Sequence, residues 1–246
     1  MSKILVENKD IVTPGQVLAE GMDYLPAGGA FRENDKIVAS QMGLANVDGR
    51  LIKVIALSGK YAPKKGDTVI AKVVDINVYG WRFEINCAYQ AFLSMKEATQ
   101  EFITKGADLT KFYDYGDIVA TNILSVSATK TVDLSMRGPG LRKLIGGRII
   151  EVAPSKVPRI IGKQGSMITM IKEATGCKIV VGQNGLIWIS GDNAEAELRA
   201  TEVILKIERE SHTEGLTDKI KQLLESETEK KNSKDKEAKK WVTTKE

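Results

Sequence analysis

Residues 157–168 of the 246-residue chain read VPRIIGKQGSMI, and this stretch decides the fold of the segment around it. Two glycines, Gly162 and Gly165, are separated by two residues and interrupt an otherwise apolar run. The residues before them predict a short helix with Pro154 near its first turn, where proline is tolerated. The residues after them predict a second helix over 166–175, closed by Gly176. The stretch therefore predicts two helices joined by a glycine turn.

The sequence on either side of these helices predicts a complete α+β unit. A long closing helix is expected from about 193 to 210, with an apolar face at the helical period. Strands are expected at 147–152, 178–181 and 186–190. The last two are joined by Gly182-Gln183-Asn184-Gly185, whose Asn-Gly pair favours a tight hairpin turn, so a structural role explains it. The predicted order is βααββα over residues 145–212.

The glycine turn is suited to a sugar-phosphate backbone. Without Cβ atoms the turn can approach such a chain closely, and the helix that follows presents the positive end of its dipole. This pattern resembles a type I KH domain, which implies a groove for about four nucleotides. The alternative is a glycine pair used only as a tight turn. The residues expected to contact the ligand are Lys156, Arg159, Ile160, Gly162, Lys163, Gln164 and Gly165, with Ile161 and Ile168 as further groove walls.

Charge and composition narrow the function. The formal net charge is only +4, yet residues 142–178 hold eight basic and two acidic side chains, a local excess of +6. Such a field favours a polyanion, although a solvated basic face remains the alternative. The two cysteines, Cys87 and Cys177, lie far apart without a CxxC pair, so neither zinc nor a disulfide framework is expected. His212 is the single histidine, which leaves no basis for a histidine-dependent catalytic group, and no cofactor is expected.

Residues 66–140 predict a small five-stranded barrel. Short strands recur between Gly66-Asp67, Tyr79-Gly80 and Gly116-Asp117, and residues 81–85 alternate apolar and charged side chains. The pattern resembles the OB-fold domain of the ribosomal-protein-S-one type. Arg82 stands where that family has a stacking aromatic, and no histidine lies near Ser94. Because these residues differ from the family pattern, we expect this face to bind phosphates and not to stack on bases. The alternative is that its basic residues are ordinary surface cations. The candidate contacts are Arg82, Lys96, Lys130 and Arg137.

The two ends of the chain are simpler. Residues 1–65 predict a β-rich module with turns at Pro14-Gly15 and Asp48-Gly49, followed by a linker over 61–65. Residues 213–246 predict an amphipathic helix near 216–224 and then a disordered charged tail containing Trp241. The N-terminus lacks the apolar core of a signal peptide, and no apolar run is long enough to span a membrane. A cytoplasmic protein without membrane contact is expected.

The order of the three modules carries a family resemblance. A β-rich module, an S-one-type OB domain and a KH domain with Gly182-x-Asn184-Gly185 closely resemble the RNA-binding cap subunit of the archaeal exosome, the ribosomal-RNA-processing protein four family. The resemblance covers about residues 5–215. It implies a non-enzymatic, multidomain protein, mainly β plus α+β, with RNA and no DNA as ligand.

The same resemblance implies the assembly. Three copies, alone or mixed with another cap subunit, would sit on a hexameric ring of RNase PH-like subunits. The N-terminal module would dock on the ring, the OB domains would line the pore, and the KH domains would lie outside. The cap would raise RNA affinity and guide 3′ ends into the ring for degradation, with A-rich tails favoured.

Two alternatives remain open from the sequence. One is a free-standing RNA-binding factor in translation or RNA turnover. The other is a fragment of a polynucleotide phosphorylase-like enzyme, since such enzymes also carry KH and S-one-type domains. Those enzymes have the two domains in the opposite order, at the C-terminus of much longer chains, and no catalytic core is recognisable here.

Overall fold

The computed structural model describes residues 2–99, 103–104, 106–213 and 215–224. The chain divides into two compact units, one ending at Gly59 and the other beginning at Lys60. None of the helices within these ranges is long and apolar enough to cross a membrane. Trp241 and the rest of the charged tail, residues 225–246, lie outside the described residues.

The N-terminal unit consists of eight short strands in two four-stranded sheets. The strands are β1 (Lys3–Ile4), β2 (Ile11–Val12), β3 (Val17–Glu20), β4 (Leu25–Pro26), β5 (Ala30–Glu33), β6 (Lys36–Ala39), β7 (Gly43–Asp48) and β8 (Leu51–Ala56). One sheet has the order β1-β3-β6-β5 and the other β2-β7-β8-β4. Both sheets contribute to one apolar core, which includes Leu18 and Ile37 from the first and Val12, Ile52 and Val54 from the second. The predicted β-rich module is therefore a small two-layer structure.

Both turns predicted in this unit are present. Gly15 has φ +85°, and the Gln16 N–H donates to the Thr13 carbonyl at 3.1 Å, as expected for a Pro-Gly turn. Strands β7 and β8 form the predicted hairpin, but Asp48 pairs with Leu51, so the turn residues are Gly49 and Arg50. The turn lies one residue later than predicted because Gly49, with φ +58°, occupies its first central position.

The second unit begins with the predicted barrel. Its strands are β9 (Thr68–Asn77), β10 (Gly80–Glu84), β11 (Gln90–Ser94), β12 (Ile118–Val126) and β13 (Val132–Ser135), with a short helix α1 (Met95–Ala98) after β11. The strand order β13-β11-β10-β9-β12 is closed by pairing of β13 with β12. Strands β11 and β13 are parallel, and the other pairs are antiparallel. The five-stranded OB-type barrel is confirmed.

Alternation along β10 positions the barrel core. Trp81 and Phe83 are fully buried, while Arg82 between them is exposed, as the period of two predicts. The Trp81 indole N–H donates to the Tyr113 carbonyl at 2.9 Å, and the two rings meet edge to face at 5.3 Å. The buried indole therefore has its polar atom satisfied, as a core tryptophan requires.

Two features of the barrel differ from expectation. Tyr61, predicted as part of a linker, packs in the barrel core, and its hydroxyl donates to the Asp67 carboxylate at 2.6 Å. Burial, together with this hydrogen bond, raises the pKa of Tyr61. Strand β11 was not predicted, because Phe92 faces outward between the buried Ala91 and Leu93 and masks the alternation.

The KH-type unit follows in the predicted order. Strand β14 (Arg142–Leu144) extends the barrel sheet beyond β12, and then come β15 (Arg148–Glu151), α2 (Val157–Ile161), α3 (Ser166–Thr175), β16 (Lys178–Val181), β17 (Leu186–Ser190) and α4 (Ala194–Arg209). Short 3₁₀ turns occupy Pro154–Lys156 and Lys163–Gly165. The three-stranded antiparallel sheet has the order β15-β17-β16. The type I KH arrangement is thus confirmed.

One further helix packs on this unit. Residues 216–224 are helical, in agreement with the predicted amphipathic segment. Leu216, Ile220 and Leu224 are buried in the same core as α2, α3 and α4. The helical core of the KH-type unit therefore extends past residue 212, where the sequence pattern suggested that it ends.

Candidate nucleic-acid interface

The glycine turn between α2 and α3 adopts a backbone that depends on its glycines. Gly162 has φ +75° and ψ 177°, Gln164 is left-handed with φ +53°, and Gly165 is left-handed with φ +80°. A Cβ on Gly162 would lie 2.8 Å from the Met167 Cβ, so a side chain is excluded there by contact as well as by φ. A Cβ on Gly165 would meet only the Ile168 Cγ2, at an ordinary contact distance of 3.9 Å, so glycine is required there only for its φ.

The two residues between these glycines point toward solvent. Lys163 and Gln164 are exposed, and helix α3 begins directly behind them at Ser166. Within the described residues no side chain caps the start of α3. A mobile cation thus stands at the positive end of a ten-residue helix, an arrangement suited to a phosphate. We call Gly162–Gly165 and the start of α3 the clamp.

The structure contradicts the predicted role of Ile160. Its side chain is fully buried in the core formed with α3 and α4, so it cannot line a groove. Ile168 is also buried, and Ile161 packs partly against the same core. The prediction was wrong because an apolar residue beside a binding turn and an apolar core residue look the same in sequence.

The two other predicted cations of this region differ in their surroundings. Arg159 is exposed, but its Nη2 donates to the Thr213 carbonyl at 2.9 Å, which ties α2 to the segment after α4. Lys156 is half-buried at the start of α2. Lys163 is therefore the cation that the clamp itself presents most freely.

Arg82 is exposed on the barrel but is not isolated. Its Nη1 lies 3.6 Å from the Asp75 Oδ2 on the neighbouring strand β9. On the same outer surface Phe92 pairs with Arg82 on one side and with Asp133 on the other. The Asp75 carboxylate reduces the positive potential at Arg82, and an exposed pair of this kind contributes little to stability. Phosphate contact at Arg82 therefore competes with Asp75.

Lys96 and Arg137 come together at one end of the barrel. The Arg137 guanidinium donates to the Lys96 carbonyl, and the Met136 N–H donates to the Glu97 carbonyl at 2.9 Å. Lys130 lies in the turn before β13, whereas Arg137 follows β13, so the two cations stand at opposite ends of that strand. The four predicted barrel cations thus do not form one patch.

Tyr79 lies beside this end of the barrel and was not predicted as a site residue. Val78 and Tyr79 form the turn between β9 and β10 and are 76% and 75% exposed. The Tyr79 carbonyl accepts from the Met95 N–H at 3.3 Å, which places the turn against the start of α1. An exposed ring on a turn that contacts α1, the helix that contains Lys96, offers a stacking surface, worth about 1–3 kcal/mol per base where one stacks. An aromatic residue at the tip of a hairpin turn was the available signal in the sequence.

We call Tyr79, Lys96 and Arg137 the barrel-end site. It joins a stacking surface to cations, and the clamp joins a cation to a helix N-terminus. Both are chemistries for a single-stranded polyanion with bases. Elsewhere within residues 2–99, 103–104, 106–213 and 215–224, no three His, Cys, Asp or Glu side chains gather where they could hold a metal ion.

Asn184 joins the barrel to the KH-type unit. Its role is structural, as predicted, but it lies in this contact and not only in the predicted hairpin turn. It is fully buried, and its Nδ2 donates to the carbonyls of Ile70 at 2.7 Å and Ile85 at 3.0 Å. Its Oδ1 accepts from the Ile70 N–H at 3.3 Å. The hairpin between β16 and β17 therefore reaches into the barrel instead of ending in solvent. A Cβ on Gly182 would lie 2.8 Å from the Ile70 nitrogen, so this approach requires glycine.

An apolar contact accompanies these hydrogen bonds. Ile70, Ala120 and Leu144 of the barrel sheet form one buried cluster with Trp188 of the KH sheet. Both β9 and β12 contribute, so the outer face of the barrel covers the face of the KH sheet that its helices leave open. The barrel and the KH-type unit, predicted as separate domains, are packed as one compact unit.

Comparison with known proteins covers about nine tenths of the chain. A KH domain family model matches residues 147–206. Exosome complex component Rrp4 of Thermococcus kodakarensis is 44% identical over 227 residues, which cover 91% of this chain and 88% of that protein. Exosome complex component Rrp4 of Methanobrevibacter smithii is 45% identical over 221 residues, which cover 90% of this chain and 72% of that protein. The chain belongs to the Rrp4 family.

A solved structure agrees with this membership in the Rrp4 family. A crystal structure assigned to an exosome complex RNA-binding protein is 32% identical and superposes with a TM-score of 0.63. It covers 70% of this chain and 99% of its own. The predicted family resemblance is thus confirmed over about nine tenths of the chain.

The clamp of this Rrp4-family chain can be tested by charge reversal. Changing Lys163→Asp together with Gln164→Asp keeps both glycines and places two carboxylates where phosphates are expected. Affinity for a single-stranded oligonucleotide, measured by fluorescence anisotropy, should fall at least about tenfold, since a hydrogen bond to a charged group contributes on the order of 1.5–3 kcal/mol. The melting temperature should stay unchanged, because both side chains are exposed.

A matched control exists on the helix over residues 216–224. Lys219→Asp with Gln222→Asp makes the same change of charge at two exposed positions, and affinity should stay near that of the unmodified chain. Equal affinity of the clamp variant and this control would show that RNA does not use the clamp, leaving the barrel-end site as the main contact.

Proposed function

We propose that this chain is a non-catalytic RNA-binding cap subunit of an exosome. It would raise the RNA affinity of a phosphorolytic ring and guide 3′ ends into it, with A-rich tails favoured. The observation that carries the proposal is the match of about 90% of the chain to proteins named exosome complex component Rrp4. The clamp and the barrel-end site supply the chemistry for RNA.

The N-terminal unit offers a surface for the ring. On the outward face of the sheet β2-β7-β8-β4, Ile11 pairs with Leu44, and Leu44 pairs with Ile55. Ile11 is 64% and Ile55 50% exposed, while their neighbours Val12 and Val54 are buried in the core. We call Ile11, Leu44 and Ile55 the apolar ladder. A contiguous exposed apolar row on a small module is typical of an interaction site.

The proposed occupant of the apolar ladder is a hexameric ring of RNase PH-like subunits. The relatives are named as components of a complex, so a partner surface is required. The ladder lies on the unit that ends at Gly59, whereas the clamp and the barrel-end site belong to the unit that begins at Lys60. Assembly and RNA binding would then use different parts of the chain.

Three copies on one ring would act through multivalency. Linked weak sites raise the effective concentration of RNA near the pore without any new contact. Because the cations are the main contacts, binding should weaken steeply as salt increases. The proposed location is the cytoplasm.

The test is to mix the purified chain with ring subunits of the same organism. Light scattering should show a complex with three cap chains per ring, and the complex should bind and degrade RNA better than the ring alone, most of all RNA with an A-rich tail. The chain by itself should release no nucleoside diphosphates from RNA with phosphate present. Absence of a complex would refute the cap proposal and favour a free-standing RNA-binding factor.

A further inference from the structure

The segment that links barrel and KH-type unit has an unusual charge. Residues 137–150 contain Arg137, Arg142, Lys143 and Arg148 and no acidic residue. We call this segment the cationic ribbon. It was not among the predicted ligand contacts apart from Arg137, which also belongs to the barrel-end site.

The backbone of the ribbon is held in place at three points. Residues 142–144 form β14, which pairs with β12, and residues 148–150 belong to β15, which pairs with β17. Between them the Gly146 carbonyl accepts from the Trp188 indole N–H at 2.7 Å. Both β14 and β15 are outermost in their sheets. The ribbon therefore carries the outermost strand of the barrel sheet and then the outermost strand of the KH sheet.

Arg142 and Arg148 differ from Lys143 in their surroundings. Lys143 pairs with the Asp117 carboxylate, which neutralises it. Arg142 and Arg148 are exposed and have no ion pair or side-chain hydrogen bond with any residue that the structure describes. Ile145 between them is 77% exposed. Two unpaired guanidinium groups thus flank one exposed apolar side chain.

The ribbon begins at the barrel-end site, so a nucleic-acid strand bound there would meet the ribbon next. Its first residue, Arg137, touches Lys96 in the barrel-end site, and the ribbon leads away from there along the outer edge of the KH sheet. That edge is β15, whereas β16 forms the opposite edge of the sheet. A single strand that leaves the barrel end finds further cations along the ribbon without entering the clamp.

We propose that the cationic ribbon is an additional RNA-binding track, in which Arg142 and Arg148 bind phosphates and Ile145 packs against a base or sugar. This inference rests on the proposed RNA-binding function and extends it. Guanidinium groups are well matched to phosphate oxygens. The track would let the chain hold RNA along the ribbon as well as at the clamp.

The test is the salt dependence of RNA binding by the full chain with Arg142→Gln and Arg148→Gln. Each phosphate contact contributes about 0.7 to the slope of log affinity against log salt for a single strand, so the slope should decrease by roughly 1.4. Affinity for a long oligonucleotide at low salt should fall roughly tenfold. The matched control, Arg50→Gln with Arg209→Gln, removes two exposed arginines elsewhere and should leave both quantities unchanged.

The outcomes separate the ribbon from the wider proposal. If the unmodified chain binds RNA and the ribbon variant keeps its slope, the track is refuted while the cap function stands. If the unmodified chain binds no RNA in complex or alone, the proposed function fails as well. An unchanged slope with self-association of the variant in light scattering would assign the arginines to protection of open strand edges, which also overturns the track.

Discussion

Aspartate at both Ile11 and Ile55 is expected to abolish assembly of this chain with a phosphorolytic ring. The two side chains are the most exposed members of the apolar ladder and lie on either side of Leu44. Burying an isoleucine side chain contributes on the order of 1.5–3 kcal/mol, and a carboxylate in its place would have to be desolvated. The dissociation constant should therefore rise at least about 10²-fold and, from the apolar loss alone, up to about 10⁴-fold.

The measurement is light scattering or sedimentation of ring and cap mixtures over a range of concentrations. RNA affinity of the isolated variant should remain unchanged, because the clamp and barrel-end site belong to the other unit. Ile4→Asp with Phe31→Asp is the matched control, since these exposed apolar residues lie on β1 and β5 of the other sheet. Assembly that survives the ladder variant and fails with the control would place the docking surface on that other sheet.

Among the substitutions described, Asn184→Ala is expected to cause the largest loss of stability. The change removes three hydrogen bonds and leaves the Ile70 N–H and the carbonyls of Ile70 and Ile85 without these partners in a buried place. Each buried group left unsatisfied costs about 1–3 kcal/mol. The free energy of unfolding of the second unit should fall by about 3–5 kcal/mol, at the upper end for single substitutions.

Urea unfolding followed by tryptophan fluorescence measures this effect, because Trp81 reports on the barrel and Trp188 on the KH sheet. The variant should also unfold in two steps, since Asn184 and the Trp188 cluster join the two parts. Gln183→Ala is the control. Gln183 contacts the barrel through its backbone N–H, which donates to the Thr68 carbonyl. The substitution keeps this hydrogen bond, because it changes only the side chain. A loss below about 1 kcal/mol for Asn184→Ala would show that water replaces the amide at little cost.

Local patterns in the sequence predict most of the architecture correctly. The clamp turn follows from Gly162 and Gly165, because only glycine accepts their backbone geometry without strain. The alternation at Trp81-Arg82-Phe83 predicts which side chains are inside, because successive residues of a strand face opposite ways. The order of helices and strands from 147 to 210 follows from short-range periodicity in the same manner.

Several site residues could not be assigned in this way. Ile160 belongs to the core, the Arg159 guanidinium is held by the Thr213 carbonyl, and Arg82 faces Asp75. In each case the backbone position was predicted and the partner of the side chain was not. Tyr79 was missed because its turn becomes a site only beside Lys96 and Arg137, which β11 and β13 bring to it.

The sequence by itself determined the modules of this protein, their order, and the glycine turn that presents Lys163. These depend on residues within a few positions of one another, whose sterics and periodicity are local. Only the tertiary structure decided that the barrel and the KH-type unit form one body. The contact that joins them links Asn184 to Ile70 across 114 positions of sequence, and no local preference of either residue specifies the other.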